Sequence, residues 1–340
     1  MAKKKYNPEK MTLEQFEERF KDEKTCIEEI ERILWGDENG NVQIVSPYTG
    51  STDVSRHSTI PGKYRDRTTR QWFSYKKGTF MENSNLKAKQ WLRIIYEMVI
   101  NVNGVSSYNL ALRADCTQST AWFARGRVLT AMQQNEDISV EGDIEADECY
   151  IGGIDHWRSD NRKESNAVEG TGQKMVVVGF KQRNGIIWAK HVPNADSTIV
   201  AEHIAPKLSG KCRFITDESP IYDMLDMNYT HLRVCHSKDQ YVNGNVHVQG
   251  IEGFWGRLKK MIDCTYIAVS GYHLNRYIDE KVFQQNTNTI SKKEKFELVL
   301  KRRGCRLRRV DLVQPGRDTI AFGPKAGQKV AGKRKNRFIA

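Results

Sequence analysis

Apolar residues recur at intervals of three and four through MTLEQFEERF and TCIEEIERILW, so residues 8–35 predict amphipathic helices. The pattern then changes. Residues 36–80 are rich in Gly, Ser, Thr and Asp, with short runs such as VQIV and QWFSY, and predict a small turn-rich β module. Helical spacing returns over residues 85–135. Within that stretch SSYNLALRAD, the turn CTQ and STAWFARGRVLTAM read as a helix-turn-helix, with Thr117 or Ser119 capping the second helix. Two readings of it stand side by side. Either the second helix is a recognition helix whose Arg125 and Arg127 meet phosphates, or the pair is an ordinary helical hairpin.

Residues 141–290 alternate strand and helix patterns and form the largest unit. DIEADECYIGG predicts a first strand. KMVVVGFKQRNGIIWAKHV predicts two more, joined at Arg183-Asn184-Gly185, because Asn-Gly favours a tight hairpin turn. STIVAEHIAPKL is amphipathic and predicts a helix. CRFITDES and LRVCHS predict a fourth and a fifth strand. VQGIEGFWGRLKKMI predicts a helix with Ile251, Phe254, Trp255, Leu258 and Ile262 on one stripe.

At 340 residues, 39% hydrophobic and 28% charged, the composition is that of a globular protein with two or three domains. No run of 18 apolar residues occurs and no apolar stretch follows the basic start MAKKKYNPEK, so neither a membrane span nor a secretory signal is expected. The seven cysteines (Cys26, Cys116, Cys149, Cys212, Cys235, Cys264 and Cys305) are scattered, with no C-x-x-C pair. That pattern predicts ordinary thiols in a reducing, cytoplasmic compartment. The net charge of +12 is unevenly spread. Residues 291–340 hold 16 Lys plus Arg against 4 Asp plus Glu, which equals the excess of the whole chain. A basic tail of this kind predicts a polyanion, ordinarily nucleic acid, or serves solubility alone.

Two aspartates occupy unusual places. Asp147 lies inside the strand EADECYI and Asp217 ends the strand FITD. A carboxylate in a strand is disfavoured and costly to bury unless paired or bound to metal, although either residue alone can also be a cap or a solvent-facing charge. Glu252 and Lys259, seven residues apart, lie nearly one above the other at the edge of the apolar stripe, while Arg257 and Lys260 point further round. Carboxylates that hold a hard divalent ion, with a lysine to position phosphate, suit phosphodiester chemistry.

D-E-x-Y-I-G-G at Asp147–Gly153, T-D near Tyr222 and I-E-G-F-W-x-x-L-K at Ile251–Lys259 resemble DDE transposases of bacterial insertion sequences, in the group related to eukaryotic Merlin elements. T-Y-x-x-V-S-x-x-H-L at Thr265–Leu274, and the following helix with Tyr277, Phe283 and Asn286, resemble the same group. The 34 residues between Asp217 and Glu252 are close to that family's spacing. The resemblance runs from about residue 15 to 290. It implies an α/β, RNase H-like domain with a mixed five-stranded sheet at 139–290. N-terminal helices (1–35), a degenerate zinc-ribbon-like module (36–80) and a helix-turn-helix region (81–138) would precede it, and a basic tail (291–340) would follow.

The resemblance further implies that Asp147, Asp217 and Glu252 hold two Mg²⁺ or Mn²⁺ ions for end cleavage and strand transfer. Lys259 would contact DNA near the scissile phosphate, and His236 matches a family histidine. Arg257, Lys260, Arg125 and Arg127 are the remaining candidate DNA contacts. The implied partners are double-stranded DNA, as terminal inverted repeats and as target, and a second copy of the chain. A catalytically silent DNA-binding relative and a structure-specific nuclease are the alternatives. Relatives carry two C-x-x-C zinc knuckles, but the matching positions here are Ser46 to Thr49 and Asp66 to Thr69, without cysteine. Ser and Thr do not supply zinc's thiolate or imidazole donors, so no zinc is expected. The module is expected to pack through Tyr48, Tyr64, Trp72 and Phe73. Gln249, where relatives often have Asn, is a second departure.

Overall fold

The computed structural model describes residues 11–152, 174–227, 229–234, 247–267, 269–304 and 307–312. His236 and the end of the basic tail lie outside the described residues. Two short helices open the chain, α1 (Leu13–Arg19) and α2 (Glu23–Trp35), capped by Thr12 and Asp22. Phe16 and Phe20 are fully buried against Tyr96 and Phe296. That contact joins distant parts of the sequence. One hydrophobic core runs through α1, α2, the β module and helices α3 (Ala88–Ile100), α4 (Ser107–Arg113) and α5 (Gln118–Ala131). It also takes in Phe296, Val299 and Leu300. The segment expected to be a tail from residue 291 therefore begins as a packed helix, α8 (Lys292–Lys301), because its apolar face completes the N-terminal core.

The β module is a three-stranded antiparallel sheet of β1 (Val54–Arg56), β2 (Lys63–Asp66) and β3 (Trp72–Ser74), in that order. Tyr64 pairs with Phe73 across β2 and β3, and both point inward. Tyr48 packs edge-on against Phe73 while staying partly exposed, but Trp72, at 44% exposed, lies outside the module's core. Alternation on the strand explains it: Trp72 precedes Phe73 and so faces the other side.

Ser46, Thr49, Asp66 and Thr69 converge through hydrogen bonds. The Ser46 and Thr49 hydroxyls donate to Asp66 Oδ2 at 2.5 and 2.7 Å, and the Thr69 N–H donates to Oδ1 at 2.8 Å. Asp66 is fully buried. The Ser46 hydroxyl, then the Thr69 amide, hold its carboxyl well below the usual carboxylate range. A carboxylate thus ties the two loops together.

Helices α4 and α5 do pack as a pair, and Thr117 caps α5. The expected phosphate contacts on α5 are corrected by their surroundings. Arg125 is 5% exposed, bonds Tyr277 Oη at 2.8 Å and lies over the Tyr266 and Tyr277 rings. Arg127 is 6% exposed and donates to the carbonyls of Phe80 and Glu82. The rest of α5 is buried or half-buried, with Gln118, Ser119, Thr120 and Trp122 near its start partly accessible.

The second body is a five-stranded mixed sheet ordered β6-β5-β4-β7-β8. Its strands are β4 (Val140–Ile151), β5 (Met175–Gln182), β6 (Ile187–Val192), β7 (Leu208–Thr216) and β8 (Thr230–Arg233). β4, β5 and β6 pair antiparallel, whereas β7 and β8 run parallel to β4. Asn184, at φ +58°, turns the β5–β6 hairpin. The helix expected at 197–207 is irregular, with an α turn, a π turn and a 3₁₀ turn in succession. Helices α6 (Gln249–Met261) and α7 (Gly271–Asn286) cover the opposite face from it.

The edge strand β6 is closed by side-chain amides. Asn286 accepts from Ile187 N and donates to Ile187 O, both at 2.8 Å. Gln134 pairs in the same way with Ala189, and Asn275 accepts from His191 N. Alternate residues of an edge strand present unpaired backbone groups, and these amides satisfy them.

Removing the Asp66 carboxylate leaves two hydroxyls and an amide without their acceptor. Asp66→Ala should lower the melting temperature by about 5 °C or more. Differential scanning calorimetry checks this, and an unchanged transition would show that the loops hold together without it.

Candidate active site

β4 is the central strand, and its alternation separates two sets of side chains. Ile144 and Ala146 face the core beneath the irregular helical segment, while Cys149 and Ile151 face α6. Glu145 and Asp147 share the α6 side. Glu145 is buried, and its Oε2 accepts the N–H groups of Gly250 at 2.7 Å and Ile251 at 3.1 Å. These are free amides of the first turn of α6, where a negative charge is favoured. Glu145 Oε1 accepts from Arg183 Nε at 3.0 Å. Gly250 is required there, since a Cβ would stand 2.5 Å from Glu145 Oε2.

Two residues further along β4, Asp147 Oδ2 accepts from Trp255 Nε1 at 3.1 Å, and Oδ1 accepts from the Glu148 N–H at 2.9 Å. Two residues further again, Cys149 faces Lys259. Burial pushes that thiol up to about 11, with the lysine charge opposing the shift. The helix α6 is thereby fastened along β4 at three successive points.

The parallel register sets Asp143 opposite Arg213 and Glu145 opposite Ile215. The same offset, continued two residues, sets Asp147 beside Asp217, just past the end of β7. Asp217 Oδ1 accepts from the Ser219 N–H at 3.0 Å. Burial, then the charges of Glu148 and Asp217, push the Asp147 carboxyl up to about 7. Glu148 projects to the other face, where Tyr222 Oη donates to it at 3.1 Å, and burial with the Asp217 charge raises it too. Three carboxylates thus crowd one end of the sheet.

Glu252 does not join them. It is exposed on α6, three residues before Trp255, and no described residue holds its side chain by a hydrogen bond or ion pair. Among the described residues, no three His, Cys, Asp or Glu side chains form a group that could hold a metal ion. Arg257, Lys259 and Lys260 are exposed on the same helix.

The structure adds residues that sequence reading passed over. Glu148 stood in the motif but received no role. Glu145 is recognisable only as one residue of a period-two set with Asp147, and its partners at 250 and 251 are more than a hundred residues away. Gly179 stands opposite Asp147 on β5. A Cβ there would lie 2.7 Å from Trp188 O and 2.9 Å from Trp255 Cη2, so glycine gives the Trp255 indole its place.

Residues 139–286 match the family model described as an ISXO2-like transposase domain. The matched range contains the whole five-stranded sheet, α6 and α7. No curated protein and no solved structure matches the chain. The match supports an insertion-sequence transposase.

Two predictions follow from this geometry. An Asp whose folded pKa rises from 3.8 to about 7 binds more protons folded than unfolded, so it costs stability as pH climbs through that window. In metal-free buffer the melting temperature should fall between pH 5 and pH 8, and Asp147→Asn should flatten that fall by a few degrees, on the order of 1–2 kcal/mol. An identical slope in the variant would remove Asp147 as a source. Gly179→Ala should displace Trp255 and destabilise by about 1–3 kcal/mol, read from the urea midpoint; a neutral result would mean that the indole has room to move.

Proposed function

We propose that this chain is a DNA transposase of the DDE type, which cleaves phosphodiesters at transposon ends and joins the freed 3′ ends to target DNA. The observation that carries the reading is the pair Asp147 and Asp217 on adjacent parallel strands, under a helix that bears Glu252 and Lys259. The strand order, three antiparallel strands followed by two parallel ones, supports an RNase H-like domain.

The chemistry of Asp147 and Asp217, two crowded carboxylates, suits a hard divalent ion, while Glu252 stands apart from them on α6 and would have to approach to complete the set. Asp147 and Asp217 repel each other, and the raised Asp147 carboxyl marks negative charge without a counter-charge. Asp147, Asp217 and Glu252 would hold Mg²⁺ or Mn²⁺, as two ions. When bound, such ions polarise the phosphodiester and lower the pKa of attacking water.

The chain's own residues prepare this site. Trp255 fixes one oxygen of Asp147, and the Glu148 amide fixes the other. The Ser219 amide orients Asp217. Glu145 locks the start of α6, so that Glu252 is delivered one turn before Trp255. Lys259, exposed two turns beyond Glu252, meets a phosphate as a point charge.

Purified protein with Mg²⁺ should nick a labelled duplex carrying the inverted repeat that flanks its gene. Asp217→Ala should reduce nicking by at least about a hundredfold while still binding the duplex. Cleavage at the wild-type rate by that variant would overturn the assignment.

A further inference from the structure

We propose that the outer face of the β1–β2–β3 sheet binds single-stranded DNA, with Trp72 as the stacking platform. The inference rests on the transposase reading for its biological setting, since a strand freed by nicking is the occupant such an enzyme would offer. The surface itself is argued from its own residues.

The inner face of the sheet is filled by Tyr64 and Phe73. The outer face is built by alternation. Register sets Arg65 opposite both Ser55 and Trp72, and Lys63 opposite Ser74. Lys63 Nζ lies 5.1 Å and Arg65 Cζ 5.6 Å from the centre of the Trp72 ring. Among the described residues neither cation is ion-paired with a carboxylate. The Tyr48 hydroxyl donates to Trp72 O at 3.2 Å, which sets a second exposed ring beside the first. Both rings line an open groove of about 800 Å³ along with Lys63. Lys76 and Lys77 in its wall are engaged, Lys76 with the Ser84 and Leu86 carbonyls and Lys77 with Glu82, and Glu23 lines it as well, so the charge offered to phosphates is that of Lys63 and of Arg65 on the outer face.

The Trp72 indole is 44% exposed, with the rest of its surface against the His57 ring at 5.1 Å and the two cations. Exposed rings interleaved with cations in a groove are what an unpaired strand requires, with phosphates held by charge and bases by stacking. In a duplex the base faces already stack on one another, so the rings would add little. The face thus favours a single strand over a duplex.

Fluorescence anisotropy of the full chain in EDTA, with a labelled oligo(dT), tests this apart from cleavage. Trp72→Ala should weaken oligo(dT) binding about tenfold, with duplex binding and the melting temperature unchanged. Lys63→Ala with Arg65→Ala should weaken it and flatten its salt dependence. Wild-type oligo(dT) affinity in Trp72→Ala would overturn the proposal, and so would an equal loss for oligo(dT) and duplex. Asp217→Ala should bind oligo(dT) as wild type does. Loss of nicking with retained binding, or the reverse, therefore separates the two readings.

Discussion

Everything at the carboxylate-rich end of the five-stranded sheet depends on one buried carboxylate. Glu145 accepts the first free amides of α6 and so fixes where that helix begins against the central strand. Two residues of strand advance ~6.7 Å and one turn of helix 5.4 Å, so strand and helix stay nearly in step over a short stretch. Glu145, Asp147 and Cys149 thereby meet the helix at Gly250, Trp255 and Lys259 in turn. An ion buried in this way is tolerated because its oxygens are satisfied, by two amides on one side and Arg183 on the other. Shifting the helix by one residue would undo all three contacts together.

The edge strand β6 shows how the two bodies are joined. Its outward backbone groups bond to amides from α7 and from Gln134, just after α5. Protection of a sheet edge and attachment of the helical body are thus one set of contacts. Buried Arg125, between Tyr266 and Tyr277, belongs to the same seam. This is why α5, whose arginines looked suited to phosphates, is enclosed instead of presented.

The β module solves a different problem. Two loops are joined by Asp66, with hydroxyls from one loop and an amide from its own. Neutral donors around one carboxylate give a closed set with every bond short.

Periodicity alone determined a good deal: the two helices between residues 13 and 35, the Asn-Gly hairpin, the strand that holds Asp147 and the one that ends just before Asp217, and the α6 stripe. These follow from local spacing, because side-chain direction in a strand or helix is fixed by the backbone. Local spacing also separates Phe73 from Trp72, because neighbours on a strand face opposite sides. Only the tertiary structure decided what each polar residue faces. Arg125 and Arg127 carry the same charge as Lys259, yet they are buried and it is exposed. The residues that start the C-terminal segment look basic, yet Phe296 and Leu300 draw them into the first core. The roles of Glu145 and Gly179 arise from partners far along the chain. Contact between distant segments sets burial, and burial decides whether a charge is a site, a seam or a surface.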